Sequence, residues 1–482
     1  MGDSIATAYN YLHFIPFSDL INWSEQYQGM TDISFKRSYP MVRIGDILTR
    51  NKTLVNIENG VLYKRAKIKV RNGGIELRED NGILGNKIDT KKQYMISKGQ
   101  FLLSKIDARN GAFGVVPKEL DGGVITSNFW TFDVDTKLVN PQYLALLTTT
   151  SSFVSYCKKA SNGTTNRHYL QESLFLKTRI PLPDLKEQDV FVKEYLDKID
   201  EANRLDYEIK KINNGIREWL INYLGISINE IRTSSKLQLI NYRSLSKWSV
   251  EEIQRQEKFS FEYTKYNVVC LKDIITSIEG GKTPSTKRKD YWGKDVFWTS
   301  AKDMKELYLL NIKDKLSRKG VEETKLTVYP KGTVLGVFRS GILRHSFPVC
   351  ITAHPVTINQ DLKAFRINET KTKKLYFLFY LDIMQDLVLS IARKKGVTVE
   401  SINADAFMGI PFVCPPMIVQ SEIVRYIYEK KKLIYQKREE AKQLRLQAIA
   451  DFESKIFDSY GRHNIRILDC RTKTENTHIT RM

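Results

Sequence analysis

Apolar residues step by threes and fours along residues 187–224, at Ile199, Ala202, Leu205, Ile209, Ile212, Ile216 and Trp219, with no proline in the stretch. Helical geometry stacks such positions into one stripe, so the spacing predicts a long helix with a coiled-coil seam. Residues 417–457 repeat the design with Ile423, Ile427, Ile434, Ala441, Leu444 and Ala448. Prolines precede both stretches, as Pro181-Leu182-Pro183 and Pro415-Pro416. A lone helix of this kind reads equally well as a solvated surface helix with one buried face. Its recurrence favours pairing of the two, and about 35 helical residues at 1.5 Å each extend roughly 50 Å.

The segments before these helices carry a different pattern. Strand signals fall at residues 100–106, 114–117, 124–134, 333–338 and 364–367, where β-branched and aromatic residues alternate between Gly and Asn punctuation. Helical spacing interrupts them at 141–157 and 372–392. Each segment is therefore an expected α+β domain of short strands and helices.

The two halves also resemble each other. Trp23-Ser24 and Trp248-Ser249 open them; Val42-Arg43-Ile44-Gly45-Asp46-Ile47 matches Val269-Cys270-Leu271-Lys272-Asp273-Ile274; Lys98-Gly99-Gln100 matches Lys331-Gly332-Thr333; and Ile180-Pro181 is set against Ile410-Pro411. A repeat this long is a whole domain plus its helix, not a stacking module. The boundaries read as an N-terminal segment 1–40, a first domain 41–184, a helix 185–225, a linker 226–267, a second domain 268–414, a second helix 415–458 and a polar tail 459–482.

Composition narrows the partners. The 482 residues are 42% hydrophobic and 27% charged, enough apolar surface for packed cores. The 76 Lys and Arg exceed the 55 Asp and Glu by 21, which makes a polyanion the natural partner. The chain shows no apolar run long enough for a membrane span and no signal core near Met1, so a cytoplasmic location without a membrane partner is the expectation. The five cysteines, Cys157, Cys270, Cys350, Cys414 and Cys470, lie too far apart for a Cys-x-x-Cys site and read as small buried hydrophobes.

Catalytic signatures fail one by one. Gly280-Gly281-Lys282-Thr283 resembles the end of a phosphate-binding loop, but Thr276 stands where its first glycine belongs. No dinucleotide fingerprint follows a strand, no Asn-Pro-Pro-aromatic motif is present, and His345 with His354 lacks metal-site spacing. No cofactor or metal is therefore expected on this chain.

What the chain does offer is basic and amide side chains in turn-like stretches. In the first half these are Lys105, Arg109 and Asn110, then Thr164, Thr165, Asn166, Arg167 and His168; in the second, Lys282, Thr283, Ser285 and Lys287, then Arg339, Ser340, Arg344, Lys394 and Lys395. Arg and Asn can read guanine and adenine edges in the major groove, while Lys and Thr suit phosphate. Each one alone is as ordinary as any solvated surface residue; their pairing across the halves is what favours DNA contact. Tyr291, Trp292 and Trp298 have the surface for base stacking, but packing beneath the adjacent loop is their expected use. From the residues alone, three classes stay open: a sequence reader, a nuclease or methyltransferase in its own right, and a DNA or RNA scaffold without sequence preference.

Nearly the whole chain, about residues 19–457, resembles the specificity subunit of Type I restriction-modification enzymes. The likeness lies in Gly281-Lys282-Thr283-Pro284-Ser285 with Tyr291-Trp292-Gly293 and Val296-Phe297-Trp298, in the run from Phe101 to Gly114, and in Ile180-Pro181-Leu182-Pro183 with Glu187-Gln188; Ile410-Pro411 with Gln420 is a second copy carrying extra residues up to Pro416. The resemblance implies two target-recognition domains, separated by two long helices pairing as an antiparallel coiled coil. Each domain would read half of an asymmetric, bipartite double-stranded DNA site. It also implies partners: modification subunits that bind S-adenosylmethionine and methylate adenine, and restriction subunits that translocate and cleave DNA. Helix positions Ile199, Leu205, Ile212, Trp219, Ile427, Ile434 and Leu444 are the expected partner-binding stripe, and the Trp-Ser copies and the tail are further docking candidates.

Overall fold

The computed structural model describes residues 35–36, 38–70, 74–162, 169–228, 259–396 and 399–458. They form two units: one takes the residues up to Arg204 together with those from Glu440 on, the other takes Leu205 to Glu439. The two long helices, Leu185–Leu224 and Met417–Ile456, are each 40 residues and do not form a third unit, because each divides between the two.

The first unit is built on a four-stranded antiparallel sheet in the order Phe113–Val115, Phe101–Ser104, Phe129–Val134, Leu48–Asn51. All four residues of Phe101–Ser104 are buried, which requires cover on both faces of that strand. Helices Pro141–Thr149 and Ser151–Lys159 share its core, with Tyr143, Phe153 and Phe175 essentially inaccessible. The sequence pattern read 141–157 as one helix. It breaks at Thr150, whose ψ of 152° is extended and whose Oγ1 caps the second helix by accepting from the Phe153 amide. A second sheet, Gly123–Ile125, Lys92–Ile96 and Leu54–Asn56, is antiparallel throughout.

In the second unit the same sheet returns as Val349–Thr352, Val334–Val337, Leu362–Ile367 and Ile275–Gly280, extended by Tyr308–Leu309 on the Val349–Thr352 edge. Gly99 (φ 86°) and Gly332 (φ 83°) turn the chain into the matching buried strands, a left-handed conformation that glycine adopts without strain. The expected helix at 372–392 is again two, Lys374–Ile383 and Gln385–Ala392, bent by 71°. Their apolar composition reflects burial: seven of the ten residues of Lys374–Ile383 are in the core. No single helix among the described residues is long and apolar enough to cross a membrane. The other sheet departs from the first unit, since Trp292–Thr299 pairs antiparallel with Lys315–Leu316 but parallel with Val356–Ile358.

Strand register corrects the way the halves were aligned. Met41–Arg43 pairs with Arg179–Pro181 so that Met41 opposes Pro181, and Val268–Cys270 pairs with Pro411–Val413 so that Val268 opposes Val413. The counterpart of Pro181 is thus Val413, not Pro411. Pro183 then matches Pro415 and Leu185 matches Met417, so the second copy carries no extra residues and both helices start at the same point.

Each helix start is fixed by a buried glutamine. Gln188 accepts from the Asn140 amide (2.8 Å) and donates to the Leu138 and Pro183 carbonyls (3.1 and 2.7 Å). Gln420 accepts from the Lys373 amide (2.8 Å) and Thr372 Oγ1 (3.1 Å), and donates to the Lys371 and Pro415 carbonyls (3.0 and 2.8 Å). Both glutamines are fully inaccessible. Beside them the Tyr143 and Tyr376 hydroxyls donate to the Pro181 and Val413 carbonyls, both at 2.8 Å. Burial pushes both phenols well up, which keeps them donors.

Within each unit the helix segments run antiparallel. In the first, Glu194 pairs with Lys455, Lys198 with Asp451 (2.8 Å) and Asn203 with Arg445 (3.0 Å), so one partner advances as the other recedes. In the second, Glu208 meets Lys437 (2.6 Å), Asn213 meets Lys431 (3.5 Å) and Trp219 stacks on Tyr426 with ring centroids 3.9 Å apart. The far helix ends are tied alike: Lys36 N donates to the Ile456 carbonyl in one unit and Lys265 N to the Leu224 carbonyl in the other.

Gln420→Leu strands the Lys373 amide and the buried Pro415 carbonyl, and should cost about 2–4 kcal/mol in urea unfolding by the usual penalty for buried unpaired groups. The hydrogen bond from Lys198 holds the Asp451 carboxyl below its ordinary range. A depressed folded-state value stabilises above the unfolded value and is lost as pH falls through the folded one. Asp451→Asn should therefore lower the urea midpoint at about pH 6, and the difference from the parent chain should vanish once the carboxylate is titrated, at about pH 2.

Candidate nucleic-acid interface

In the first unit the basic turn links two core strands. Phe101–Ser104 leads into a single turn, Ala108–Asn110, and Gly111 (φ 77°) returns the chain to Phe113–Val115. The Asn110 amide group donates to Asp107 Oδ1 (3.2 Å), Asn110 is exposed and Arg109 half-buried. Lys105 is held on both sides of its backbone, its N–H donating to the Asn128 carbonyl (3.0 Å) and its carbonyl accepting from Leu170 (2.9 Å). Its ammonium lies 5.7 Å from the centre of the Tyr169 ring. Thr164, Thr165, Asn166, Arg167 and His168 lie outside the described residues. The strands flanking them, Ser161–Asn162 and Tyr169–Leu170, pair antiparallel, and the second of these touches Lys105. Tyr169 and Leu170, more than fifty positions beyond Lys105 in sequence, thus meet it.

The second unit repeats this meeting with different side chains. After Val334–Val337 the chain makes the turn Gly341–Arg344, capped by Ser340 Oγ on the Ile342 amide (3.4 Å). The hairpin Arg393–Lys394 with Ser401–Ile402 lies against it: Ile402 donates to the Phe338 carbonyl (2.8 Å), Ser340 N donates to the Glu400 carbonyl (3.0 Å) and Arg339 bridges Ser401. Arg339, Arg344, Lys394 and Lys395 are all exposed. Lys282, Thr283, Ser285 and Lys287 are exposed on a neighbouring loop that joins the same surface. Thr283 Oγ1 donates to Gln360 Oε1 (2.6 Å), and the next residue, Asp361, accepts from the amides of Phe338 and Arg339.

The aromatic residues are supports, as expected. Trp298 donates to the Lys282 carbonyl and Trp292 to the Ser285 carbonyl, both at 3.2 Å, and the two rings meet edge to face at 5.2 Å. Both indoles lock the loop from beneath, and Trp298 is only 7% exposed. Gly281 admits the approach from the other side, since a Cβ there would lie 1.7 Å from the Ile358 carbonyl oxygen. Arg288, Asp290, Lys319 and Glu323 close the loop's far end as an exposed ionic cluster, in which the Arg288 and Lys319 hydrogen bonds hold the Asp290 carboxyl well below its ordinary range.

Of the expected helix stripe, Leu205, Ile427 and Ile434 are at most 4% exposed and Ile199, Ile212, Trp219 and Leu444 are half-buried, with Trp219 stacked on Tyr426 of the other helix. Trp23-Ser24, Trp248-Ser249 and the tail lie outside the described residues. Sequence reasoning also missed Arg393 and Glu400, which no motif marks and which only the hairpin brings to the turn. Among the described residues no group of three or more His, Cys, Asp or Glu is placed to hold a metal ion.

The model of the Type I restriction modification DNA specificity domain family matches residues 36–216 and, a second time, residues 263–443. The chain belongs to that family. The two matches coincide with the two copies of the head and reach into the long helices. Among named relatives, the chain is 28% identical over 197 residues to the Type I restriction enzyme MjaIX specificity subunit of Methanocaldococcus jannaschii, covering 40% of this chain and 44% of that one. It is 28% identical over 149 residues to the EcoR124I/EcoR124II specificity subunit of Escherichia coli (31% and 37%) and 21% identical over 377 residues to the HindI specificity subunit of Haemophilus influenzae (70% and 80%). It thus spans under half the length of the first two. A chain from a solved type I R-M system is 16% identical with a TM-score of 0.49, over 87% of this chain and 98% of that one.

Gly281→Ala should force loop 282–292 off its seat and expose it to limited proteolysis. Gly341→Ala is the control, since no atom lies within 4 Å of its added Cβ, and its digestion pattern should match the parent.

Proposed function

We propose that this chain is the DNA-recognition subunit of a Type I restriction-modification complex and that its two heads read different halves of one bipartite site. The chain supplies recognition and no catalysis. Modification subunits that bind S-adenosylmethionine and methylate adenine, and restriction subunits that translocate and cleave, supply the chemistry in this reading, which rests on family membership and on the names of the relatives.

One observation carries the reading. In both units the hairpin is tied to the end of the buried core strand by a matching hydrogen bond, Leu170–Lys105 in one and Ile402–Phe338 in the other, while the turns and their side chains differ. A protein that binds phosphates without sequence preference has no need of unlike side chains on a like frame, because the phosphate backbone is the same everywhere. Two half-sites of different sequence require that arrangement.

Selection from a randomised duplex library with the purified full chain, at one fixed salt concentration, tests this. Two separated blocks of sequence are expected, and replacing residues 42–176 with the matching segment of a relative should change one block and leave the other. Retention of random duplex as well as any selected site, or a change in both blocks, contradicts the reading. Methyl transfer or strand cleavage by the chain alone would move it to the enzyme class.

A further inference from the structure

We infer that Glu400 is a positioning residue for Arg344, and that this pair, braced by Arg393, reads a guanine in the half-site of the second unit; the inference rests on the recognition function proposed above. Glu400 is only 8% exposed, although the turn and hairpin that hold it carry the exposed Arg339, Arg344, Lys394 and Lys395. Its Oε1 lies 3.5 Å from Arg344 Nε and its Oε2 3.5 Å from Arg393 Nε, so one carboxylate spans two guanidinium groups. Arg393 NH1 in turn donates to the Arg344 carbonyl (3.1 Å), and the Glu400 carbonyl accepts from Ser340 N (3.0 Å). Turn and hairpin are therefore cross-linked through main chain and side chain at the same place.

The chemistry follows from which nitrogen is held. A guanidinium is planar, and the ion pair at Arg344 Nε restrains that plane from one edge while leaving its two terminal amino groups with no partner among the described residues. Two coplanar N–H donors at the end of an exposed side chain match the N7 and O6 acceptors of guanine in the major groove, and match no other base pair as well. An acid this close to DNA is repelled by phosphate unless it is neutralised, and two arginines neutralise it here. It also lowers the entropy that a free arginine would lose on binding.

Among the described residues of the first half, no counterpart of the Arg344 and Arg393 pair stands at the turn and hairpin. Strand register places Ser161 where Arg393 stands, and the turn that carries Arg344 is longer than the one after Phe101–Ser104, since Leu103 pairs with Phe113 but Gly336 with Val349. The frame is duplicated but this buttress is not, which is the pattern expected of a residue that tells one half-site from the other.

The test is selection and competition with the purified full chain carrying Arg344→Lys, Arg344→Ala or Glu400→Gln, each first checked for an unchanged unfolding midpoint. Loss of the fork in Arg344→Lys and Arg344→Ala should reduce preference for one G·C pair, in the second unit's block only, by about tenfold to a hundredfold. Glu400→Gln keeps the size of the side chain but not its charge, and should relax the same base pair to a smaller extent, with the other block unchanged. Arg344 variants that weaken binding equally to all sequences would make it a phosphate contact and overturn the inference. So would Glu400→Gln with full discrimination retained. A variant that lowers the midpoint is replaced in the comparison by Arg393→Lys, which should relax the same pair and overturns the inference if it does not. If the unmodified chain selects no sequence, the recognition function fails instead, so the two failures are distinguishable.

Discussion

A buried amide side chain that must be fully satisfied is the constraint on which both halves of this molecule depend. Gln188 and Gln420 sit one turn inside their long helices, inaccessible to water, and their hydrogen bonds go to main chain, a threonine hydroxyl and the Cys414 sulfur of their own units. An unsatisfied amide there would cost more than most surface contacts supply, so the glutamine accepts only one placement of the strand, the proline turn and the helix start around it. The tyrosine on the neighbouring helix adds a second tie to the same turn. What is fixed in each unit is thus the angle at which a head leaves its helix.

Above that joint the two heads separate into a part that is copied and a part that is not. The four-stranded sheet, the bent helix pair and the turn-to-hairpin bonds recur strand for strand. The second sheet does not, being antiparallel in one unit and mixed in the other, and the loop carried on Trp292 and Trp298 is particular to the second. Packing explains the division. Core strands buried on both faces tolerate little change in volume, whereas exposed turns held by main-chain bonds can change side chains at little cost to stability.

The chain carries 21 more Lys and Arg than Asp and Glu, and among the described residues acids offset that charge at particular places. Asp290 and Glu323 neutralise the end of one loop, and Glu400 sits between two arginines. Along the helices, Glu194, Glu208 and Asp451 pair with lysines and set register rather than charge. Such half-exposed pairs add little stability individually, and their value lies in making one alignment of the helices better than its neighbours.

By itself the sequence determined the duplication, the two long helices and most core strands, because periodicity and glycine or proline punctuation are local signals. Gly99 and Gly332, the runs at 101–104 and 334–337, and the seam from Ile199 to Trp219 were all legible this way. The basic clusters were legible as composition, though Thr164 to His168 lie outside the described residues. Tertiary structure alone decided the rest. Pairing of Val268 with Val413 reset the alignment of the halves by two residues, which a proline-to-proline match could not reveal because strand register is set by a partner far along the chain. The breaks at Thr150 and Met384 came from packing that overrides helical spacing. Burial of Leu205, Ile427 and Ile434 and the stacking of Trp219 on Tyr426 were likewise decided by packing, since apolar spacing states that a face is buried but not against what. Glu400 and Arg393 acquired their meaning only when a hairpin carried them to a turn fifty residues earlier, a proximity that no pattern in the chain encodes.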